Sequence, residues 1–254
     1  MRYAIFSDIH SNLEGLQAVF KAAEKEGVDS LLCCGDVIGY NADPNACVDL
    51  MREKDVRCIR GNHERGLEEL EQGDIPNMNP VAMEALQFTL DTLDDERREW
   101  LVALPDKLLI EDSFYLFHGS PGDPDDYIFD AFEAAYGFKT LVEEYPSPAN
   151  SLCFIGHTHI CACHVFEPED KREMEKLPQG EEVISIETGR HYMFNVGSCG
   201  QYRGGSPVAT FGILDTDEMR VEYRFLGYDY YTSQEKIVEA GLPLFLAQRL
   251  GMGQ

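Results

Sequence analysis

Basic residues are scarce in this chain. Lysine and arginine number 21 against 46 aspartates and glutamates, a formal net charge of −25 over 254 residues. A surface that acidic repels phosphate backbones, which argues against sequence-tolerant binding of nucleic-acid polymers. Long apolar runs are missing too: nothing approaches the roughly 18 residues of a membrane span. The opening stretch Met1-Arg2-Tyr3-Ala4-Ile5-Phe6 is too short for an export signal, and Asp8 and His10 interrupt it at once. Internal repeats, low-complexity tracts and linkers are absent, so residues 1–254 are expected to form a single domain with a substantial core. Cysteine is not lacking, but the eight copies lie mostly inside apolar, strand-like runs. Without an export signal they read as reduced core residues, and a cytoplasmic location is expected.

What is present is a regular alternation of strand and helix signals. Arg2 to Phe6, Leu31 to Cys34 and Val56 to Ile59 read as buried strands. Between the first two, Ser11-Asn12-Leu13-Glu14 fits a capping box, with Leu13, Leu16, Phe20 and Ala23 at helical spacing and Gly27 as the stop. Asp43-Pro44 starts the next helix. The first 64 residues therefore follow the βαβ pattern of a parallel sheet. Residues 67–104 read as helical, with Asn79-Pro80 opening one helix and Pro105 closing the region. Strands are expected at Lys107–Ile110, Phe114–Phe117 and Leu152–Ile155, with a helix over Ala131–Glu144 ending before Pro146. After Ile160 the pattern turns to β: Cys161–Phe166, Val183–Glu187, Tyr192–Val196, Val208–Leu214 and Val221–Phe225. The charged stretch from Glu167 to Glu182 is expected as a solvated hairpin tip, and Ser233 to Leu250 as helix.

The polar residues at strand exits carry the chemistry. Gly61-Asn62-His63-Glu64 follows a buried strand, at the kind of carboxyl end where open α/β sheets bind ligands. Asp8 and His10 leave the first strand two residues apart, a spacing that puts both on one side of an extended segment. His157 and His159 in Gly156-His157-Thr158-His159 repeat that spacing. Asp36 and His118 follow two further strands. Taken singly, each has an ordinary explanation as a cap, a turn or a buried histidine. Five strand ends that all present an oxygen or an imidazole do not. Mixed carboxylate, amide and imidazole donors suit Mn²⁺, Fe²⁺, Ni²⁺ or Zn²⁺. Seven ligands suit two ions with one carboxylate shared, an arrangement that clamps an in-line displacement at phosphorus and activates a bridging water to hydroxide. Two divalent ions bring +4 and Asp8 with Asp36 remove 2, so the site stays positive enough to hold a phosphate inside an acidic protein. Cys161-Ala162-Cys163-His164 reads as strand alternation rather than a thiolate metal site. Arg203 is either a surface residue or a contact to substrate phosphate.

Asp8-Ile9-His10, Gly35-Asp36, Gly61-Asn62-His63-Glu64, His118 and Gly156-His157-Thr158-His159, in that order, resemble the calcineurin-like metallophosphoesterase superfamily, in particular its compact prokaryotic phosphodiesterase-like members. The glycine-rich Asn195-Val196-Gly197-Ser198-Cys199-Gly200-Gln201 is similar to those members as well. The resemblance implies an α/β fold, a four-layer αββα sandwich of two packed mixed β-sheets flanked by helices. It implies that Asp8, His10, Asp36 and His159 hold one ion, and that Asp36, Asn62, His118 and His157 hold a second, Mn²⁺ being favoured. His63 would protonate the leaving group or stabilise the transition state. The expected activity is hydrolysis of a small phosphorylated substrate, by a phosphodiesterase or nucleotide phosphatase, with residues 67–104 and 120–148 as pocket walls. A Ser/Thr phosphoprotein phosphatase and a non-catalytic scaffold are the alternatives. The family's fuller pattern, Gly-Asp-x-x-Asp, supplies a second Asp that orients the histidine, and protein phosphatases add an Arg after it. Here Gly39 and Tyr40 stand at those positions, leaving Asp43 or Glu64 as substitutes for the orienting carboxylate.

Overall fold

The computed structural model describes residues 1–145, 152–169 and 172–254. Twelve strands and eight helices are seen among them. The strands are β1 (Arg2–Phe6), β2 (Ser30–Cys33), β3 (Arg57–Cys58), β4 (Leu108–Ile110), β5 (Phe114–Leu116), β6 (Leu152–Ile155), β7 (Cys161–Glu167), β8 (Arg172–Lys176), β9 (Glu182–Ser185), β10 (His191–Val196), β11 (Val208–Asp215) and β12 (Arg220–Gly227). The helices are α1 (Leu13–Glu26), α2 (Pro44–Glu53), α3 (Asn62–Gln72), α4 (Pro80–Thr92), α5 (Asp95–Val102), α6 (Ala131–Glu144), α7 (Tyr230–Glu239) and α8 (Leu244–Met252). Two six-stranded mixed sheets result, ordered β3-β2-β1-β11-β12-β9 and β4-β5-β6-β10-β7-β8.

Alternation along β1 explains the layering. Successive side chains leave a strand on opposite faces. Tyr3 and Ile5 enter the apolar cluster between the sheets, where they meet Phe154, Phe194 and Val196. Ala4 and Phe6 face the other way, into a cluster roofed by Leu16 and Phe20 of α1 and Val48 and Met51 of α2. The outer face of the second sheet is covered by Phe138 and Leu141 of α6, packed on Cys153, Ile155 and Met193. The order is thus helices, sheet, sheet, helix, as the resemblance implied. Within each sheet, three neighbouring strands run parallel: β3, β2 and β1 in one, β5, β6 and β10 in the other. Their carboxyl ends meet at one edge of the sandwich.

Several local expectations need correction. The cap of α1 is Asn12, whose side chain accepts from Gly15 N at 3.0 Å, and not Ser11. Ser11 is turned away by a left-handed backbone (φ +56°). The helical region expected from residue 67 begins at Asn62, so Asn62 and His63 sit in the first turn of α3. The charged stretch after β7 contains the edge strand β8, paired antiparallel with β7. Its Arg-Glu-Met-Glu-Lys composition is what an exposed sheet edge tolerates without pairing further; residues 170 and 171 lie outside the described residues. The carboxyl-terminal helix is two helices, because Gly241 and Pro243 interrupt it. Helix α6 ends at Glu144, while Pro146 lies outside the described residues. Cys161 and Cys163 point into the inter-sheet cluster, and His164 between them and α6 takes the opposite face.

Burial pushes His164 down to about 4. Its neutral form is therefore favoured in the folded chain relative to the unfolded value near 6.5. The stability this contributes is present above pH 6.5 and lost as pH falls towards 4. We expect the difference in unfolding free energy between the wild type and His164→Phe to shrink or reverse by about 2 kcal/mol between pH 7 and 5. Urea titrations at the two pH values measure it; parallel losses in both proteins would rule it out.

Candidate metal centre

The carboxyl ends of β1, β2, β3, β5 and β6 deliver Asp8, Asp36, Asn62, His118 and His157 to one buried cluster, and His10 and His159 follow two residues behind their neighbours. All seven predicted ligands and His63 meet there. The Nε2 atoms of His10 and His159 lie 3.0 Å apart, and His118 Nε2 lies 3.1 Å from both His157 Nδ1 and Asn62 Oδ1. Ligand atoms of Asp8, His10 and His159 form one close group, those of Asp36, His118 and His157 a second, and those of His10, Asp36 and His63 a third.

Both carboxylates are anchored by one oxygen and aimed by the other. Asp36 Oδ1 accepts from His63 N at 2.9 Å, leaving Oδ2 at 3.6 Å from His10 Nε2 and 3.3 Å from His118 Nε2. Asp36 thus faces both imidazole groups. Asp8 Oδ2 accepts from His157 N at 3.0 Å, and Oδ1 lies 3.2 Å from His159 Nε2. Gly61 and Gly156 make these approaches possible: a Cβ on either would overlap the carboxylate of Asp36 or Asp8.

Backbone carbonyls set the imidazole tautomers. Nδ1–H of His10 donates to Ile38 O (3.0 Å), that of His118 to Cys34 O (2.8 Å) and that of His159 to Gln201 O (2.8 Å). For His157 the roles of the nitrogens are exchanged, and Nε2–H donates to Asp125 O at 3.0 Å. A carbonyl can only accept, so the outer nitrogen of each ring carries a proton, and in the neutral ring the inner nitrogen presents a lone pair. An outer hydrogen bond of this kind is how metal-binding histidines are oriented. The donor set fits divalent metal ions.

The local electrostatics seek a cation. Burial opposes charge on Asp8 and Asp36, yet the surrounding imidazoles hold both carboxyls below the ordinary range. Burial pulls His118 down, but Asp36 outweighs it and raises the ring to about 9. A field that favours a proton on that inner nitrogen favours a metal ion in its place.

The expected extended geometry of the His-containing pairs is not how they converge. Asp8, His10, Asp36, His157 and His159 all adopt left-handed backbone conformations, φ from +49° to +67°. Asp and His enter this region more readily than most residues, but it still costs of the order of 1–2 kcal/mol each. Such outliers concentrate where a site is over-determined by its surroundings.

Neither proposed substitute orients His63. Asp43 pairs with Lys236 at 2.6 Å. Glu64 accepts backbone N–H groups from Gly61, Asp36 and Val37 at 2.7, 3.0 and 2.9 Å, tying α3 to the segment after β2. The His63 ring is instead packed between Tyr40 and His10, at centroid distances of 4.8 and 4.6 Å. Burial, with His10 and His118 nearby, pushes it down to about 3.

Several contributors carried no sequence signal, the carbonyls of Ile38, Cys34 and Asp125 among them. Others sit in the glycine-rich loop: Ser198 Oγ donates to Asp8 O at 2.7 Å, and Asn195 Nδ2 donates to Gly156 O at 2.7 Å. Beside the cluster opens a cleft of about 280 Å³, lined by Asn62, Arg65, Met78, Asp125, Tyr127 and His157, among others. Tyr127 stacks on His157 with ring centres 3.8 Å apart. The cleft thus draws on both expected wall segments, of which 146–148 lie outside the described residues.

Two mixed sheets enclosing a buried Asp–His cluster at the ends of parallel strands define a metal-dependent phosphoesterase. Residues 1–219 match the calcineurin-like phosphoesterase superfamily domain, and the chain belongs to that family. It is a metallophosphoesterase, a hydrolase of phosphoric esters. An uncharacterized protein of Methanocaldococcus jannaschii is 32% identical over 263 residues, covering 99% of this chain and 98% of that one. A metallophosphoesterase from Sphaerobacter thermophilus has a crystal structure that is 33% identical, with full coverage of both chains and a TM-score of 0.84. A hypothetical protein of Pyrococcus horikoshii OT3, 18% identical with 100% and 98% coverage and a TM-score of 0.75, shares the fold. Among the described residues no helix is long and apolar enough to cross a membrane.

Gly39 has φ +99°, and a Cβ there would overlap His63 Nδ1. Restoring the family's aspartate should therefore harm this chain. We expect Gly39→Asp to cost at least ~2 kcal/mol and lower the melting temperature by roughly 5 °C. An unchanged or higher melting temperature would mean that the ring and an aspartate can share this space.

Proposed function

We propose that the chain, acting as one domain, is a dinuclear-metal hydrolase of small phosphate esters, a phosphodiesterase or nucleotide phosphatase working in the cytoplasm. Asp8, His10, Asp36 and His159 hold one ion, with Mn²⁺ favoured. Asp36, Asn62, His118 and His157 hold the other, Asp36 being shared. The observation that carries this reading is the keying of four imidazoles by backbone carbonyls, so that their inner nitrogens face two anchored carboxylates. When bound, the ions supply Lewis acidity at the phosphoryl oxygens and an activated water as nucleophile.

The protein's own groups do the rest. His63 is aimed by packing against Tyr40 and His10 and by its place in the first turn of α3. Its ligand-atom distance to His10 and Asp36 would also admit it as a metal ligand. We assign it the proton, because the other four imidazoles already fill both sites. A phosphate anion beside the ring supplies the opposite charge that raises a depressed imidazole pKa. In that state His63 donates to the leaving-group oxygen, a contribution of about 10²–10⁴ in rate. The cleft beside Asn62 and His157 receives the leaving group, with Tyr127 as one wall.

Reconstitution with Mn²⁺ and assay on bis-p-nitrophenyl phosphate, p-nitrophenyl phosphate and a small nucleotide panel tests the activity. Turnover of at least one class is expected, and none with either Mn²⁺ or Ni²⁺ would leave the scaffold reading standing. His63→Ala should retain both ions and lose 10²–10⁴ in kcat. Asp36→Asn should lose metal first. Equal metal contents in the two variants, measured by elemental analysis, would contradict the separate roles.

A further inference from the structure

In a chain with more than twice as many acidic as basic residues, arginines find partners easily. Among the described residues every arginine except two lies within ion-pair distance of an Asp or Glu. The exceptions, Arg203 and Arg249, are 46 positions apart in sequence and close together in the fold.

Their neighbourhood is the metal centre. Arg203 follows the loop that keys His159, and its own N–H donates to His159 O at 3.1 Å. Its side chain is held through Nη2, which donates to Gln201 Oε1 at 3.2 Å, while its buried Nε has no partner. Arg249 comes from α8, beyond the residues matched by the family domain. That helix is pinned to the same loop, where Gly205 N donates to Gly253 O at 2.9 Å. The Arg249 guanidinium carbon lies 5.8 Å from the Tyr40 ring centre and 5.5 Å from that of Phe245. Tyr40 in turn packs on His10, with ring centres 4.6 Å apart, and on His63. Both guanidinium groups therefore act on the Tyr40 side chain, one ring removed from the ligand cluster. Burial, and then the charge of Arg203, push Arg249 down to about 10.

Two neighbouring cations with no Asp or Glu beside them repel each other, and partial burial thins the water that would screen them; Arg249 Nε is met only by Gln254 O, at 2.7 Å. A multiply charged anion relieves both costs, and planar guanidinium forks match phosphoryl oxygens. The position beside Tyr40 is displaced from the ligand cluster, on the side of His10 and His159. The cleft assigned to the leaving group, at Asn62 and His157, adjoins this position, and the charge of Arg203 acts on its wall residue Tyr127.

We propose that Arg203 and Arg249 form an anion subsite for a second phosphoryl group of the substrate, adjacent to the one that is cleaved. This deepens the phosphoesterase reading and rests on it for the position of the cleaved group. It narrows the substrate class to compounds with two neighbouring phosphoryl groups, and Tyr40 is the spacer between the two subsites. The chain thus carries the phosphate-gripping guanidinium that position 40 lacks, but sets it to a different task.

Binding separates this proposal from turnover. Methylenediphosphonate, with two phosphoryl groups, and methylphosphonate, with one, are titrated calorimetrically into the Mn²⁺-loaded protein at fixed free Mn²⁺. The wild type should prefer the diphosphonate, and Arg203→Gln and Arg249→Gln should each reduce that preference at least tenfold. Arg249→Lys should keep part of it, which distinguishes lost charge from a disturbed helix. Arg52→Gln, far from the site and paired with Glu96 on the surface, should keep it all. No preference in the wild type, an unchanged preference in both Gln variants, or equal weakening of the two ligands overturns the assignment. A protein that binds in this pattern yet hydrolyses nothing would instead count against the hydrolase reading alone.

Discussion

Two carboxylates, Asp8 and Asp36, are buried at the centre of the molecule's active edge and remain ionised there. An isolated buried carboxylate would take up a proton to avoid the cost of desolvation. These two do not, because imidazoles and backbone N–H groups surround them. The rest of the edge follows from that constraint. Parallel strands from both sheets must end together, glycines must let the carboxylates approach neighbouring backbone, and the histidines must turn their lone pairs inward.

The left-handed residues show what this arrangement costs. Five of the seven proposed ligands sit in a backbone region that most residues avoid. The strain is held in place by short hydrogen bonds running between chain segments far apart in sequence, such as Ser198 to Asp8 and Asn195 to Gly156. A cluster assembled in this way has its polar groups in position before any ligand arrives. Such preorganisation avoids reorganising dipoles during reaction and is a large part of electrostatic catalysis. The same logic extends outward to Tyr40, which fixes His63 by packing where the resemblance led one to expect a carboxylate. Gly39 is needed for that exchange, since the imidazole fills the space a side chain would occupy.

The residues that cluster at this edge were legible in the sequence because a polar residue after an apolar run is conspicuous. Asp8, Asp36, Asn62, His118 and His157 each end such a run, and the strand–helix alternation placed them on one edge. The carbonyls that orient the rings were not legible, since every residue has one and only tertiary structure chooses among them. Left-handed geometry at Asp8 and His10 was hidden for a similar reason: two residues at alternate positions suggest an extended segment until the turn is seen. Glu64 was misread as a partner of His63 because its bonds to the 36–38 segment are long-range. The early start of α3 did leave a trace, a glutamate three residues after Gly61 whose side chain returns to the Gly61 N–H. The break between α7 and α8 was also visible in Gly241 and Pro243. The meeting of Arg203 and Arg249 had no sequence signal, because it depends on how the last helix docks.

The central claim is that this edge is a cage for two cations. Calorimetric titration of Mn²⁺ into the metal-stripped wild-type protein, followed by a melt of the loaded form, tests it most directly. Two ions per chain and a melting temperature that rises with metal are predicted, because ligand binding to the folded state alone stabilises it. A stoichiometry of one or less, with melting unmoved by metal, would contradict the account.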